Sequence, residues 1–226
     1  MAGTIALVGG GECRAPCDEM DRALIELAGG QSARAGIIPT AAARENPRLA
    51  AQNGVNHFRR LGASTGAIMI VQRANADSPR FAAQIDDLTL AYLTGGDPVH
   101  LLETLRDSVV WLALTALVAR GGVLVGSSAG AMILCEQMWA LGEGWREGLG
   151  AVPRVAIVPH HTTLAARWDT EKMRNALDAG VALVGLDECA GLVSRDGSWR
   201  AIGAGEVSVY RDSEIRVYRS GDVVSF

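Results

Sequence analysis

The stretch VLVGSSAGA, residues 123–131, decides the fold class, because it leads an apolar strand into a sharp turn and then a helix. Branched apolar residues predict a buried strand over 123–125. Gly126 and Gly130 flank Ser128 in the pattern Gly-x-Ser-x-Gly, which is typical of a strained strand-to-helix turn that exposes a serine. A helix predicted over 129–138 would aim its amino end at this turn. Ser128 is therefore a candidate nucleophile, and a glycine- and serine-rich connection without chemistry is the alternative.

Apolar runs alternate with helix-forming stretches through most of the chain. Further strands are predicted over 4–8, 35–38, 67–71, 88–93, 155–158 and 181–185, and a long helix over 164–179. This alternation predicts an α/β fold with a doubly wound, mostly parallel sheet flanked by helices. Short strands separated by tight turns after residue 190 predict a C-terminal antiparallel edge hairpin. The length of 226 residues and the 49% hydrophobic content favour a single domain over residues 1–226.

A serine hydroxyl needs a base, and the chain has four histidines. His57 and His100 lie in predicted helices, where a structural role explains them better. His160 and His161 follow the predicted strand over 155–158, and polar groups of open α/β sheets gather at such carboxyl ends. One of this pair is therefore the candidate base. A surface His-His pair or a weak metal site is the alternative.

The candidate acids are Asp187 and Glu188, which follow the predicted strand over 181–185. The resulting order of serine, histidine and acid differs from the order in α/β-hydrolases, so the Gly-x-Ser-x-Gly match does not predict that fold. Three other acids lie between Ser128 and the histidine pair and would restore the other order: Glu136, Glu143 and Glu147. A predicted helix holds the first, and a Gly/Trp-rich loop holds the other two. Both places suit solvated charges better.

Six short motifs follow one another, mostly at the ends of predicted strands. They are GGGE at 9–12, IPTAA at 38–42, TGGD at 94–97, GSSAGA at 126–131, PH at 159–160 and GLDE at 185–188. In this order they resemble the peptidase family S51, which holds aspartyl dipeptidase (peptidase E) and cyanophycinase. The resemblance covers about residues 5–210. It implies a flavodoxin-like, class I glutamine amidotransferase-like fold and a serine peptidase that forms an acyl-enzyme.

The resemblance also implies roles for individual residues. Ser128 would be the nucleophile, His160 rather than His161 the base, and Glu188 the acid that orients the base. The backbone amides of Gly96 and Ala129 would form the oxyanion hole. The implied substrate is a small peptide with an N-terminal aspartyl or isoaspartyl residue, and the implied mechanism needs no metal or organic cofactor.

The chain departs from the family pattern where the substrate would bind. Cyanophycinases place an aromatic residue after the catalytic histidine and then closely spaced arginines, whereas this chain has His161 followed by Arg167 and Arg174. These three residues and Asp97 are the candidate substrate-binding residues. The guanidinium of Arg167 could hold a substrate carboxylate in a bidentate pair. The alternatives are a helix cap at Asp97 and solvent-facing arginines on the helix over 164–179.

Composition excludes several other classes of protein. The formal net charge is −4 and no basic run is present, so we expect no nucleic-acid partner. No stretch approaches the roughly 20 apolar residues of a membrane span. The first residues form a strand pattern without a charged leader, so we expect a cytoplasmic protein. If the chain assembles, a homodimer is the commonest form.

The glycines at 9–11 do not complete a dinucleotide fingerprint, because the sixth position is Arg14. In a reducing compartment the four cysteines are expected to be free thiols, with a disulfide or metal site between Cys13 and Cys17 as the minor alternative. Two competing functions stay open. One is a glutamine-amidotransferase-like enzyme, which the serine at the turn disfavours. The other is a non-catalytic binding protein that keeps the fold.

Overall fold

A computed structural model describes residues 3–164, 168–195, 197–211 and 214–226. The strands within these ranges are β1 (Thr4–Val8), β2 (Arg34–Ile38), β3 (Ser64–Ala67), β4 (Leu90–Leu93), β5 (Val123–Ser127), β6 (Cys135–Ala140), β7 (Gly144–Glu147), β8 (Val152–Val158), β9 (Ala182–Leu186), β10 (Ala190–Arg195), β11 (Ser198–Gly203), β12 (Val207–Arg211), β13 (Glu214–Tyr218) and β14 (Val223–Val224). The helices are α1 (Asp18–Leu27), α2 (Pro47–Arg60), α3 (Arg73–Ala76), α4 (Pro79–Asp86), α5 (Pro98–Leu105), α6 (Val109–Ala119), α7 (Ala129–Leu134), α8 (His161–Leu164) and α9 (Thr170–Asn175).

The strands form two mixed sheets. The first has eight strands in the order β14-β11-β10-β1-β5-β4-β2-β3, and the second has six in the order β13-β12-β9-β8-β6-β7. The run β1-β5-β4-β2-β3 is parallel, as is β9-β8-β6. The remaining pairs in both sheets are antiparallel. The α/β prediction is confirmed at this level, whereas the prediction of one sheet is wrong.

The predicted strands over 155–158 and 181–185 belong to the second sheet, as β8 and β9. The C-terminal strands predicted as one edge hairpin form two hairpins instead. The hairpin β10–β11 extends the first sheet, and β12–β13 extends the second.

The second sheet was missed because the helix predicted over 129–138 is too long. Helix α7 ends at Leu134, and Cys135 has extended backbone angles (φ −76°, ψ 172°) that begin β6 directly. Pairing of β6 with β7 and β8 overrides local helix propensity there. Glu136 and Glu147 therefore lie on strands rather than on a helix and a loop. Strand β3 also lies earlier than the predicted 67–71.

The helix predicted over 164–179 is also wrong as a continuous element. Helix α8 ends at Leu164, residues 165–167 lie outside the described ranges, and α9 covers only Thr170–Asn175. Asp169 caps α9 by accepting a hydrogen bond from the backbone of Lys172.

The two faces of the first sheet carry separate apolar clusters. Helices α1 and α2 cover one face with buried residues such as Leu24 and Phe58. The other face packs on α4 to α7 and on the inner face of the second sheet, through residues such as Leu114 and Leu186. Both sheets therefore contribute to one shared core, which fixes the ends of their strands relative to each other. In the described part of the chain, no helix is both long and apolar enough to cross a bilayer.

Cys17 and Cys189 form a disulfide, with their Cα atoms 4.9 Å apart. The prediction that all four cysteines are free is therefore wrong for this pair, and the Cys13–Cys17 alternative is wrong as well. Cys13 and Cys135 are free thiols. The pairing spans 172 residues of sequence, which local spacing cannot reveal. The backbone N–H of Cys189 donates to the carbonyl of Gly10 at 2.9 Å, which brings the two segments together.

Candidate active site

Five strand ends from both sheets meet at one edge of the molecule. Strands β1, β4 and β5 of the first sheet end there, as do β8 and β9 of the second. Each of these strands ends at one of the motifs, which are GGGE at β1, TGGD at β4, GSSAGA at β5, PH at β8 and GLDE at β9. The carboxyl ends of parallel strands are the usual place for functional groups in α/β proteins.

Ser128 sits on the sharp turn between β5 and α7. Its backbone is strained, with φ 50° and ψ −109°, and its N–H donates to the carbonyl of Val8 at 2.8 Å. A Cβ at Gly126 would lie 2.4 Å from the carbonyl of Gly130, and a Cβ at Gly130 would lie 2.6 Å from the carbonyl oxygen of Leu93. Both glycines are therefore required sterically by the turn that presents Ser128.

His160 follows β8 and faces Ser128. Its Nε2 lies 3.1 Å from Ser128 Oγ, which is within hydrogen-bond distance. The backbone N–H of His160 donates to the carbonyl of Gly9 at 2.8 Å. A Cβ at Gly10, whose φ is +119°, would lie only 2.3 Å from the imidazole Cε1. Gly10 of the GGGE motif therefore makes room for this ring, which is a role that sequence reasoning missed.

Glu188 follows β9 and completes a connected chain of three side chains. Its Oε1 lies 2.9 Å from His160 Nδ1, and its Oε2 accepts a hydrogen bond from the Arg14 guanidinium. Arg14 first, and His160 second, lower the pKa of Glu188 below its usual value of 4.5. The acid is therefore ionised at neutral pH and suited to orient the ring through Nδ1–H.

Asp187, the other candidate acid, points elsewhere. Its Oδ1 accepts hydrogen bonds from the backbone N–H and the hydroxyl of Thr162. The two histidines in predicted helices are also engaged away from Ser128. His57 Nε2 lies 2.7 Å from Asp21 Oδ2, and both residues are almost fully buried. His100 Nε2 lies 3.0 Å from the carbonyl oxygen of Val71.

The backbone amides of Gly96 and Ala129 flank the turn that carries Ser128. Among the described residues, neither N–H has a hydrogen-bond partner. The neighbouring amides are occupied, because Gly95 donates to Glu12 Oε1 at 2.9 Å and Asp97 donates to the carbonyl of Ala41 at 2.8 Å. Two free donors beside a candidate nucleophile are suited to stabilise an oxyanion.

A cavity of about 630 Å³ opens beside Ser128 and His160. Its polar lining includes two carboxylates and two carboxamides, from Glu12, Glu45, Asn46 and Asn53. No arginine or lysine lines it within the described ranges. Its size is in the range of small-molecule sites.

Two of the predicted substrate-binding residues, Asp97 and His161, do not line this cavity. Asp97 caps α5 through the backbone N–H of His100 and pairs with Arg44 at 3.0 Å. The cap that was the alternative for Asp97 is therefore present. His161 Nε2 lies 2.6 Å from the Tyr210 hydroxyl, and burial lowers the pKa of this histidine.

Of the two arginines predicted to bind substrate, Arg174 lies within the described residues. Arg174 lies on α9, against the second sheet, and does not line the cavity. Arg167 falls outside the described residues.

Comparison with known proteins assigns the family. The model of the peptidase family S51 matches residues 5–202. The chain belongs to peptidase family S51. The resemblance inferred from the six motifs is confirmed, and the chain is a serine-type peptidase.

Relatives of this S51 chain are found among sequences and among solved structures. A cyanophycinase from Trichormus variabilis is 28% identical over 231 residues, covering 93% of this chain and 74% of that protein. A cyanophycinase from Synechococcus elongatus is 28% identical over 240 residues, covering 98% of this chain and 72% of that protein. The crystal structure of a peptidase from an acI-B1 Actinobacterium matches with a TM-score of 0.90 and 30% identity, covering 100% of this chain and 98% of that one.

Three residues of the site carry no role in the sequence prediction: Glu12, Arg14 and Cys189. Glu12 is the last residue of the GGGE motif, but its hydrogen-bond partners, Gly95 and Ser127, are 83 and 115 residues away in the sequence. Arg14 and Cys189 likewise contact residues more than 170 positions away. Only the fold brings these partners together.

Proposed function

We propose that this S51 peptidase hydrolyses small peptides through an acyl-enzyme formed on Ser128. The observation that carries the proposal is the connected chain Ser128–His160–Glu188, with contacts of 3.1 and 2.9 Å, beside two free backbone amides. A serine with a base at hydrogen-bond distance, itself oriented by a carboxylate, is the arrangement that activates a hydroxyl for acyl transfer.

The steps follow from this geometry. His160 Nε2 takes the proton of Ser128 Oγ as the oxygen attacks the peptide carbonyl, and the Gly96 and Ala129 amides stabilise the resulting oxyanion. His160 then gives the proton to the leaving amine, and the C–N bond breaks. A water molecule, deprotonated by His160, attacks the ester carbon, and the proton returns to Ser128 as the acid product leaves. The ionised Glu188 stabilises the imidazolium in both halves of the cycle.

We further propose that the substrates are short peptides with an N-terminal aspartyl or isoaspartyl residue. Support comes from the family resemblance and from relatives named cyanophycinase. The carboxylates of Glu12 and Glu45 in the cavity argue that an acidic substrate group binds outside that part of the lining.

Three further sequence predictions belong to this proposal: a flavodoxin-like core, a homodimer and a cytoplasmic location. The first is supported by the parallel run β1-β5-β4-β2-β3 with helices on both of its faces. The homodimer is tested by the mass of the chain in sedimentation equilibrium.

The test of the proposal is release of free amino acid from a peptide panel, with wild type beside Ser128→Ala. The panel holds Asp-x dipeptides, β-linked Asp-Arg, and neutral dipeptides and tripeptides. Cleavage confined to acidic N-termini and absent in the variant supports both parts of the proposal. Cleavage of neutral peptides that also requires Ser128 keeps the mechanism and overturns the substrate class. Cleavage that survives in Ser128→Ala overturns the proposal. The absence of cleavage by folded wild type also overturns it, and favours a non-catalytic binding protein.

A further inference from the structure

Glu12 bridges two turns that carry the reacting groups. It follows the three glycines after β1, and its two carboxylate oxygens have different partners. Oε1 accepts the backbone N–H of Gly95 at 2.9 Å, and Oε2 accepts the hydroxyl of Ser127 at 2.9 Å. One side chain therefore joins the turn after β4 to the residue directly before the predicted nucleophile.

The carboxylate and Ser128 both approach Gly95. A Cβ placed on Gly95 would be 2.9 Å from Glu12 Oε1 and 3.2 Å from Ser128 Cβ, so no side chain could be added between them. Glu12 lines the cavity beside Ser128 and His160. Its two partners, a backbone N–H and a hydroxyl, are neutral groups that it holds in place, so its role in the site is to position them.

The hydrogen bonds to Glu12 determine which backbone amide of the turn stays free to bind substrate. In the turn over residues 94–97, Thr94 donates to Ile38, Gly95 to Glu12 and Asp97 to Ala41. Within the described part of the chain, only the Gly96 N–H of this turn has no partner. The Gly96 amide lies between the Gly95 amide, which is held on Glu12, and the Asp97 amide, which is held on Ala41, so the bond to Glu12 is one of the two that set its direction.

We infer that Glu12 is a positioning residue, which locks the Gly95–Gly96 turn to Ser127 and so sets the distance between the Gly96 amide and Ser128. This inference rests on the proposed function, since it assigns the Gly96 amide to the oxyanion. A misplacement of about 1 Å at such a donor lowers turnover by about 100-fold.

The expected results separate positioning from substrate binding and from folding. Glu12→Ala lowers kcat by about 100-fold and changes KM by less than about threefold, because the donor acts on the transition state. Glu12→Gln keeps kcat within about fivefold, because its amide oxygen still accepts from Gly95 and its amide nitrogen donates to Ser127 Oγ. Glu19→Ala, on the exposed face of α1, is the matched control and leaves both constants unchanged.

A second variant keeps the inference testable if Glu12→Ala is unstable. Ser127→Ala removes one arm of the bridge and lowers kcat by about tenfold, and the double variant with Glu12→Ala is no slower than Glu12→Ala alone. A fluorophosphonate counts the folded, reactive sites, and it titrates about one site per chain in every variant.

Three outcomes overturn the inference: kcat of Glu12→Ala within threefold of wild type, a Glu12→Gln variant as slow as Glu12→Ala, or losses that multiply in the double variant. Failure of the proposed function is distinguishable, because wild type itself then shows neither cleavage nor labelling of Ser128.

Discussion

The two halves of the site are held in place by different forces. In the nucleophile half, residues 126–130 with the turn at 95–96, the two neighbours of Ser128 are buried, with Ser127 0% and Ala129 1% exposed, whereas Ser128 and Gly95 are half-buried and Gly96 is exposed. The base half consists of His160, Glu188 and Arg14, whose side chains are 30%, 43% and 56% exposed. Steric fit fixes the first half, where a methyl group at either glycine of the turn would collide with backbone. Hydrogen bonds and an ion pair fix the second half.

This difference predicts separate consequences of mutation. Changes in the nucleophile half should lower stability together with activity, because close-packed backbone cannot move aside. Changes in the base half should lower activity and leave stability nearly intact, because exposed polar contacts contribute little to folding. Gly9 and Gly10 connect the two halves, because their carbonyls accept hydrogen bonds from the backbone N–H groups of His160 and Cys189. A change in this segment therefore tests whether stability, activity or both are lost at the boundary between the halves.

The largest effect within the base half is expected for Glu188→Gln. The amide no longer stabilises the imidazolium and allows the wrong ring tautomer, so kcat should fall by about 10³-fold or more. The thermal midpoint should stay within about 2 °C of wild type. Glu136→Gln is the matched control, because its amide oxygen still accepts the backbone N–H of Arg154. Equal losses in both variants would contradict the assignment of Glu188.

Gly10→Ala tests the boundary between the halves. The new Cβ would lie 2.3 Å from the His160 ring and push it from Ser128, so activity should fall by about 100-fold. Gly62→Ala separates this collision from backbone strain, because Gly62 has a similar φ of +103° and no neighbour within 4 Å of the added carbon. Both variants should lose about 1 kcal/mol of stability from strain, and only Gly10→Ala should lose activity. Parallel activity losses would show that strain alone is responsible.

Gly130→Ala should lower stability by about 2 kcal/mol, because the added carbon meets the carbonyl oxygen of Leu93 at 2.6 Å at a buried position. Gly66→Ala, on β3 with open space around the added carbon, is the control and should be nearly neutral. Denaturant unfolding measures both. A Gly130→Ala protein with wild-type stability and activity would refute the steric account of the nucleophile half.

The smallest effect is expected for Arg14→Gln. Arg14 lowers the pKa of Glu188 in the folded protein, so the ion pair contributes stability at pH values above the usual pKa of 4.5 and loses it as pH falls through the lowered value. Both side chains are exposed, so the loss at pH 7 should be below about 1 kcal/mol. The difference between variant and wild type should be smaller at pH 3 than at pH 7, because Glu188 is protonated progressively as pH falls below 4.5. Denaturant unfolding at pH 7 and pH 3 checks this, and a difference that grows in acid would contradict it.

Local sequence predicted the positions of the candidate site residues better than it predicted the sheets of the fold. Ser128, the pair His160–His161 and the pair Asp187–Glu188 could be predicted to lie close together, because each follows an apolar strand and strand ends converge in α/β proteins. The choice of His160 and Glu188 within the pairs came from the family resemblance. The second sheet could not, because β6 begins in a stretch with helical character and is stabilised by pairing with β8. The Cys17–Cys189 disulfide and the contacts of Glu12 and Arg14 depend on partners far away in the sequence. A cytoplasmic location stays a prediction.

The most direct test of the central claim is to find which residue a fluorophosphonate modifies, by mass spectrometry of wild type, Ser128→Ala, Ser127→Ala and His160→Ala. We expect one adduct on Ser128 in wild type, no adduct in Ser128→Ala, an adduct on Ser128 in Ser127→Ala, and labelling slowed by at least about 100-fold in His160→Ala. An adduct on any other residue of wild type, or equal labelling rates with and without His160, would contradict the account.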